Sequence, residues 1–374
     1  MQGSPHIVVV GAGLVGTAVA RALGRAGARV TVVERGVPGA EASWAAGGIL
    51  SPQAECDHDG PMLQLCRRGL RDVRAVVAAL RDEVGVDHVA LGFREGGTFD
   101  VAVTPAEVTS LRARVAWQTQ AGLPAQWLDG DELRRRAPVG DDVLGGAFFP
   151  DEAAVEPRAL CEALRTSAVA AGVAFVTGRR VDVVDAEGVL AVDDAGSSVR
   201  LGGDAVVVCA GAWTPRVPGA GVADDAVFPV RGVMVEIDGG DVGRAASAVV
   251  YGHGGYAVPR RDGRVLVGST MERAGFDKTI TTGALAAVLG RATRILPGLV
   301  DRPVRAHWAG LRPGTADGLP LLGRSSTGVW IASGHFRNGV LLAAASGELL
   351  RDALLHGAAP DTAFSPRRFD EAPR

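Results

Sequence analysis

An α/β architecture is what this 374-residue sequence predicts: a parallel-sheet dinucleotide domain interrupted by a mixed α+β domain with an antiparallel sheet. Three observations predict it. Residues 6–33 read as strand, helix, strand, with three glycines crowded into the first turn. Ala205–Trp213 is a near-continuous apolar run with a glycine near its end, as expected of a strand buried on both faces of a parallel sheet. The chain closes on a further strand, glycine turn and helix, and strand-rich stretches separate these blocks.

The elements follow in order. His6–Val10 is apolar without alternation, so it reads as a short buried strand, followed by a helix over Leu14–Ala26 and a strand over Arg29–Val33. Ala40–Pro52 is a loop of small residues. From Pro61 to Val84, Leu63, Cys66, Leu70, Val73, Val77 and Leu80 recur at helical spacing and predict a long amphipathic helix. Residues 89–104 alternate like strands, with Gly96-Gly97 as a hairpin turn. Pro105–Gln120 and Pro157–Ala171 predict helices, the second starting with proline in the first turn, where the missing N–H costs nothing. Residues 173–208 and 227–270 are strand-rich, and 281–296 is helical. Val329–Ser333 is a strand and Gly339–Leu355 a helix. The expected boundaries give residues 1–56, 145–222 and 305–374 to the dinucleotide domain, and 57–144 and 223–304 to the second domain.

Composition removes several classes. Hydrophobic residues make up 47% and charged residues 22%, which excludes a disordered chain. The net charge is −3 and the arginines are scattered, so no nucleic-acid partner is expected. Cys56, Cys66, Cys161 and Cys209 lie far apart without a C-x-x-C, which argues against zinc, thioredoxin-type chemistry and a disulfide framework, and no metal site is expected. No apolar run reaches the ~18–20 residues of a membrane span, and the first residues lack a signal-peptide pattern. A cytoplasmic location is expected.

Gly11-Ala-Gly13-Leu-Val-Gly16 sits between the first strand and its helix. Gly11 permits a tight turn, Gly13 admits a pyrophosphate close to the backbone, and Gly16 lets the helix pack on the strand. The phosphates then meet free N–H groups at a helix N-terminus. Glu34, at the end of the second strand, is placed to accept hydrogen bonds from an adenosine ribose and would repel a 2′-phosphate; Arg35 beside it joins the cofactor-binding candidates. These features predict a Rossmann-like dinucleotide site without deciding between NAD and FAD.

Three segments decide it by resemblance. Glu41-Ala-Ser-Trp-Ala-Ala-Gly-Gly-Ile-Leu-Ser-Pro52 resembles the segment that threads past the flavin in the glycine oxidase/D-amino-acid oxidase family of flavoproteins. Trp308-Ala-Gly-Leu-Arg-Pro-Gly-Thr-Ala-Asp-Gly-Leu-Pro320 resembles the family's stretch carrying a substrate arginine, and Gly334-His-Phe-Arg-Asn-Gly-Val340 resembles its closing flavin motif. The match is greatest with the glycine oxidases of thiamine biosynthesis. It implies a Rossmann-like FAD-binding domain interrupted by a substrate-binding domain.

The resemblance implies roles at particular positions. Ser43, Ala46 and Gly47 would hold the pyrophosphate and lie close to the flavin ring. Val181 would contact the adenine end, and Gly211 would let a second strand end approach the cofactor. The backbone of Arg337, Asn338, Gly339 and Val340, at a helix N-terminus, would face the flavin's pyrimidine edge. Arg312 would take the substrate carboxylate through its two-pronged guanidinium, assisted by the Tyr256 hydroxyl. Arg337 would be a second active-site arginine and Met271 would line the pocket. The family tends to have a histidine where this chain has Gly254, so no role is assigned to His253. The last cysteine, Cys209, precedes the closing motifs, so FAD is expected to be bound non-covalently.

The implied reaction is oxidation of a small amino acid or N-alkyl glycine to its imine by hydride transfer to flavin. Oxygen would then reoxidise the flavin and yield hydrogen peroxide, and the imine would feed thiazole synthesis. The implied partners are the substrate, O2 and the thiazole synthase machinery; relatives implied by the resemblance form dimers or tetramers, which makes a homo-oligomer an expectation. The competing readings are a D-amino-acid dehydrogenase feeding a membrane quinone, a sarcosine or other amine oxidase, and, from another class, an NAD-linked dehydrogenase or a non-catalytic dinucleotide-binding protein.

Overall fold

Six strands form the first sheet of the computed structural model, which describes residues 4–370. At its centre lies β1 (His6–Val10), between β2 (Arg29–Val33) and the strand Ala205–Val208, both parallel to it. Ala174–Val176 extends the sheet beyond β2, and Trp330–Ser333 followed by the antiparallel Leu321–Arg324 extends the other side. Alternation along β1 divides the core into two layers. Ile7 and Val9 point into a helical layer with α1 (Leu14–Arg25) and the helices Pro61–Val84, Pro157–Ala170 and Gly339–His356. Val8 and Val10 point into a three-stranded antiparallel sheet of Arg180–Asp185, Gly188–Val192 and Ser198–Gly202. Burial on both faces is why these strands are continuously apolar.

The second sheet has eight strands. From one edge they are Val304–Gly314, Phe228–Asp238, Arg264–Gly268, Gly255–Pro259, Val249–Gly252, Thr98–Ala102, Gly145–Phe149 and Gln126–Asp129. All neighbours pair antiparallel except Val249–Gly252 with Thr98–Ala102. Alternation again assigns faces. Val233, Val235 and Ile237 pack under the helix Thr282–Ile295, while Met234 joins Tyr251, Tyr256 and Trp308 on the opposite face. That opposite face is the one turned to the glycine-rich end of the first sheet.

Several expectations need correction. Gly145–Phe149 and Val304–Gly314, expected mostly in the dinucleotide domain, are strands of the eight-stranded sheet, where they find hydrogen-bonding partners. The helix Pro61–Val84, expected in the second domain, buries its apolar stripe against the closing helix instead; a Cβ on Gly69 would lie 2.6 Å from the Leu341 carbonyl. Gly96-Gly97 is not a hairpin turn. Arg94 bridges to Ala154, and only Thr98–Ala102 is a strand in this stretch. The reason for the first glycine is space, because a Cβ on Gly96 would overlap the Ser247 carbonyl. The loop 40–52 also holds a single helical turn, Ala42–Ala45, and a two-residue strand, Ile49–Leu50. Among the described residues no helix is long and apolar enough to cross a membrane, and no cluster of His, Cys, Asp or Glu is placed to hold a metal.

Candidate functional site

A single cavity of about 1000 Å³ runs from the fingerprint turn, between the two sheets, to the strands around Arg312. That is the upper end of the ~300–1,000 Å³ usual for small-molecule sites, and suits a dinucleotide together with a small substrate. Every residue singled out from the sequence lines it except Gly16. Gly16 serves packing, since a Cβ there would stand 3.1 Å from Cys209 Cβ. Cys209 lies fully within the apolar strand end, and burial pushes its thiol well above its ordinary range.

At the fingerprint, Gly11 adopts a positive φ of 100°, and a Cβ there would come within 2.6 Å of the Cys209 carbonyl. The α1 N-terminus has no side-chain cap from Gly13, so its first turn faces the cavity. Leu14 N–H donates to Ser43 Oγ at 2.9 Å, which brings the small-residue loop onto that helix end. Glu34 accepts from Ala12 N–H at 2.8 Å through one oxygen and from Gly36 N–H at 2.9 Å through the other. The carboxylate thereby fixes the turn and keeps further lone pairs toward the cavity. Arg35 stacks over Trp213, 4.0 Å from the ring centroid, and pairs with Glu41 at 3.0 Å. Val181, on the first strand of the three-stranded sheet, and Gly211, at positive φ, border the same end.

The middle of the cavity is the loop Ala45–Gly48, and the second sheet holds it in place. Trp308 Nε1 donates to the Ala45 carbonyl at 3.0 Å, and the buried Arg260 donates to the Gly47 and Val155 carbonyls at 2.9 and 3.0 Å. A Cβ on Gly47 would lie 3.4 Å from the Tyr256 ring. Opposite, the closing helix begins at Gly339 with Asn338 uncapped by any side chain, so its N-terminus also opens onto the cavity. His335, just before it, bonds Ser346 Oγ at 2.9 Å, and burial holds its imidazole neutral, down at about 4.

At the far end, Arg312 donates to Ser269 Oγ at 2.5 Å and to the Thr270 carbonyl at 3.2 Å. Tyr256 donates its hydroxyl to Met234 Sδ at 3.1 Å. Met271 sits at the rim, 63% exposed. The charge partners discriminate among the arginines of the cavity. Arg35 pairs with Glu41, Arg114 with Asp57 and Asp100, Arg179 with Asp193, Arg180 with Asp182, and Arg337 with Glu55. Among the described residues Arg312 and Arg216 alone of these lining arginines have no carboxylate partner. Arg216 lies at the Trp213 end, stacked on Phe276, so among the described lining residues Arg312 is the one uncompensated arginine at the far end.

Sequence reasoning missed four groups here. Glu55 lies 2.8 Å from the Arg337 guanidinium and accepts the Tyr251 hydroxyl at 2.6 Å. Tyr251 faces Tyr256 directly across the hairpin, with ring centroids 5.8 Å apart. Ser269 holds Arg312, and Trp213 carries Arg35. The signal for Tyr251 was its place opposite Tyr256 about the Gly252-His-Gly-Gly255 turn. His253 itself turns inward at positive φ with a buried side chain.

Fold and cavity define a dinucleotide-dependent enzyme whose second sheet closes the far end of the cofactor site. A protein-family model described as FAD-dependent oxidoreductase (DAO) matches residues 6–353. The glycine oxidase of Pseudomonas aeruginosa is 34% identical over 369 residues, covering 96% of each chain. The bifunctional protein ThiO/ThiG of Synechocystis is 32% identical over 381 residues, covering 99% of this chain and 55% of that one. The crystal structure of the glycine oxidase from Geobacillus kaustophilus superposes with a TM-score of 0.89 at 29% identity, covering 98% of this chain and 99% of that one. The chain belongs to the DAO family of FAD-dependent oxidoreductases, and its cofactor is FAD. The residues present fit that group: two helix N-termini whose N-cap residues make no side-chain cap, small residues where a ring must approach, and a carboxylate at the end of the second strand.

Proposed function

We propose that this chain oxidises glycine, or a glycine carrying a small N-alkyl group, to the corresponding imine. The observation that carries this reading is Arg312: a guanidinium without a carboxylate partner, in a cavity that Tyr256 also lines and that is continuous with the dinucleotide fingerprint. A two-pronged guanidinium in a confined site is suited to a carboxylate. Tyr256 Oη, now turned to the Met234 sulfur, is within the same compartment and can turn its hydroxyl to that carboxylate. When bound, FAD would supply a two-electron acceptor for the hydride of the substrate α-carbon, with O2 as the final acceptor and hydrogen peroxide as the product.

The protein's contribution is orientation. Anchoring the carboxylate at Arg312 fixes where the α-carbon sits, and positioning of this kind supplies up to ~7–11 kcal/mol. Ser269 and Thr270 hold the guanidinium plane, so the clamp is preorganised. The N-terminus of the closing helix presents positive dipole to that compartment, favouring negative charge that develops there. Cys209 is buried with its thiol protonated, which supports a non-covalent cofactor. The relative that pairs ThiO with ThiG in one chain supports a partner that consumes the imine in thiazole synthesis. Free imine would hydrolyse to glyoxylate and ammonia.

The test is a visible spectrum followed by peroxide detection in air with glycine, sarcosine and D-alanine. A yellow protein that releases its flavin on acid precipitation and makes peroxide fastest with glycine or sarcosine supports the reading. Bleaching by D-alanine without peroxide would replace it with a dehydrogenase.

A further inference from the structure

We infer that Glu55 is a specificity-determining residue, which restricts the substrate to amino acids with a single carboxylate by neutralising Arg337. The inference rests on Arg312 taking the substrate carboxylate. Two arginines stand at the substrate end, and a site with two free guanidinium groups would favour a dianion. Only one is free. Glu55 Oε2 forms an ion pair with Arg337 at 2.8 Å, and the Glu55 side chain is only 9% exposed, so Arg337 is the cation that compensates this carboxylate. Tyr251 donates its hydroxyl to the other oxygen at 2.6 Å and so helps position the carboxylate.

The loop beneath is fixed too. Glu152, fully buried, accepts from Gln53 and Ala54 N–H at 2.6 and 3.0 Å, so the backbone leading into Glu55 cannot drift away from Arg337. Beyond this pair the cavity wall carries more negative charge. Asp100 and Glu107 line it, and the one arginine there, Arg114, is already bound by Asp57 and Asp100. A second carboxylate entering this arm would lose its hydration and meet carboxylates instead of an open guanidinium. Like charges in a desolvated site reject a ligand strongly.

The experiment uses the flavin-loaded enzyme and reads ligand binding through the flavin absorbance, so it does not require turnover. The probes are acetate and malonate, which differ by one carboxylate. Wild type is expected to bind acetate at least about tenfold tighter than malonate. Glu55→Gln keeps an acceptor for Tyr251 but frees the charge of Arg337, and is expected to move the ratio toward malonate by about tenfold. Arg337→Gln leaves Glu55 uncompensated and should move the ratio the other way. Peroxide assays with glycine and iminodiacetate should follow the same order. Equal binding of acetate and malonate by wild type overturns the inference. So does a Glu55→Gln protein with full flavin content and an unmoved ratio; if that variant loses flavin, the direction of the shift in Arg337→Gln decides. Selective acetate binding without glycine turnover would sink the proposed activity and leave this inference standing.

Discussion

Arg312 and Ser269 are joined by a 2.5 Å hydrogen bond that leaves the guanidinium fork open to the cavity and unpaired with any acid. Arg312→Lys keeps the charge and loses the fork. The expected result is a loss of about 10–100-fold in kcat/KM, mostly in KM, with flavin content unchanged. Steady-state peroxide kinetics check it, and a lysine variant with wild-type KM would remove Arg312 from carboxylate binding.

Gly232 stands across the strand pair from Gly310, and a Cβ at residue 232 would come within 2.6 Å of Arg312 Nη2 and overlap its other nitrogen. Gly232→Ala should therefore push the guanidinium out of position without changing any charge. A rise in KM of about tenfold or more is expected, on the scale of a misplaced binding group. Flavin content should be unaltered, because the fingerprint turn lies at the other end of the cavity.

Glu34 is expected to matter for cofactor retention rather than chemistry. Its two oxygens hold the Ala12 and Gly36 amides, and removal leaves the turn without that brace. Glu34→Ala should weaken FAD binding by about 10–100-fold, the worth of charged hydrogen bonds. Flavin fluorescence released on dilution measures it, and kcat at saturating FAD should stay near that of wild type.

Two buried groups give opposed pH dependences. Burial raises Glu152 to about 7 from 4.5, so the folded state holds its proton more tightly than the unfolded state does. The stability this contributes is present below about 4.5 and is lost as pH rises to about 7, a change of roughly 3 kcal/mol. His335 is lowered to about 4 from 6.5, so its contribution is present above about 6.5 and is lost as pH falls to about 4. Wild type should show a shallow profile because the windows overlap. Glu152→Gln leaves the histidine alone, and its melting temperature should fall more steeply than that of wild type on acidification. A variant profile parallel to wild type would contradict the raised Glu152.

The dinucleotide site was legible because its chemistry is local. Gly11, Gly13, Gly16 and Glu34 lie within one strand-helix-strand unit, so spacing alone assigns the turn, the helix end and the acid. Arg312 and Tyr256 were reached only through motif resemblance, since neither is unusual in composition. Glu55 was not legible at all. It reads as one acid in a loop, and nothing near it in the chain announces Arg337 or Tyr251. The amphipathic stripe of Pro61–Val84 was plain, yet its partner was misassigned, because periodicity shows that a face is buried and not against what.

The sequence by itself determined the opening βαβ unit, the dinucleotide class of cofactor and the apolar strands buried on both faces. These depend on near neighbours in the chain and on side-chain period. Tertiary structure alone decided which arginine is free. Arg337 is compensated by Glu55, 282 positions away, and Arg114 and Arg179 by acids 14 positions away, because charge compensation is a property of three-dimensional proximity. It also decided that the Gly145–Phe149 and Val304–Gly314 strands join the second sheet, because a strand's hydrogen-bonding partner is chosen by the assembled sheet and not by the strand.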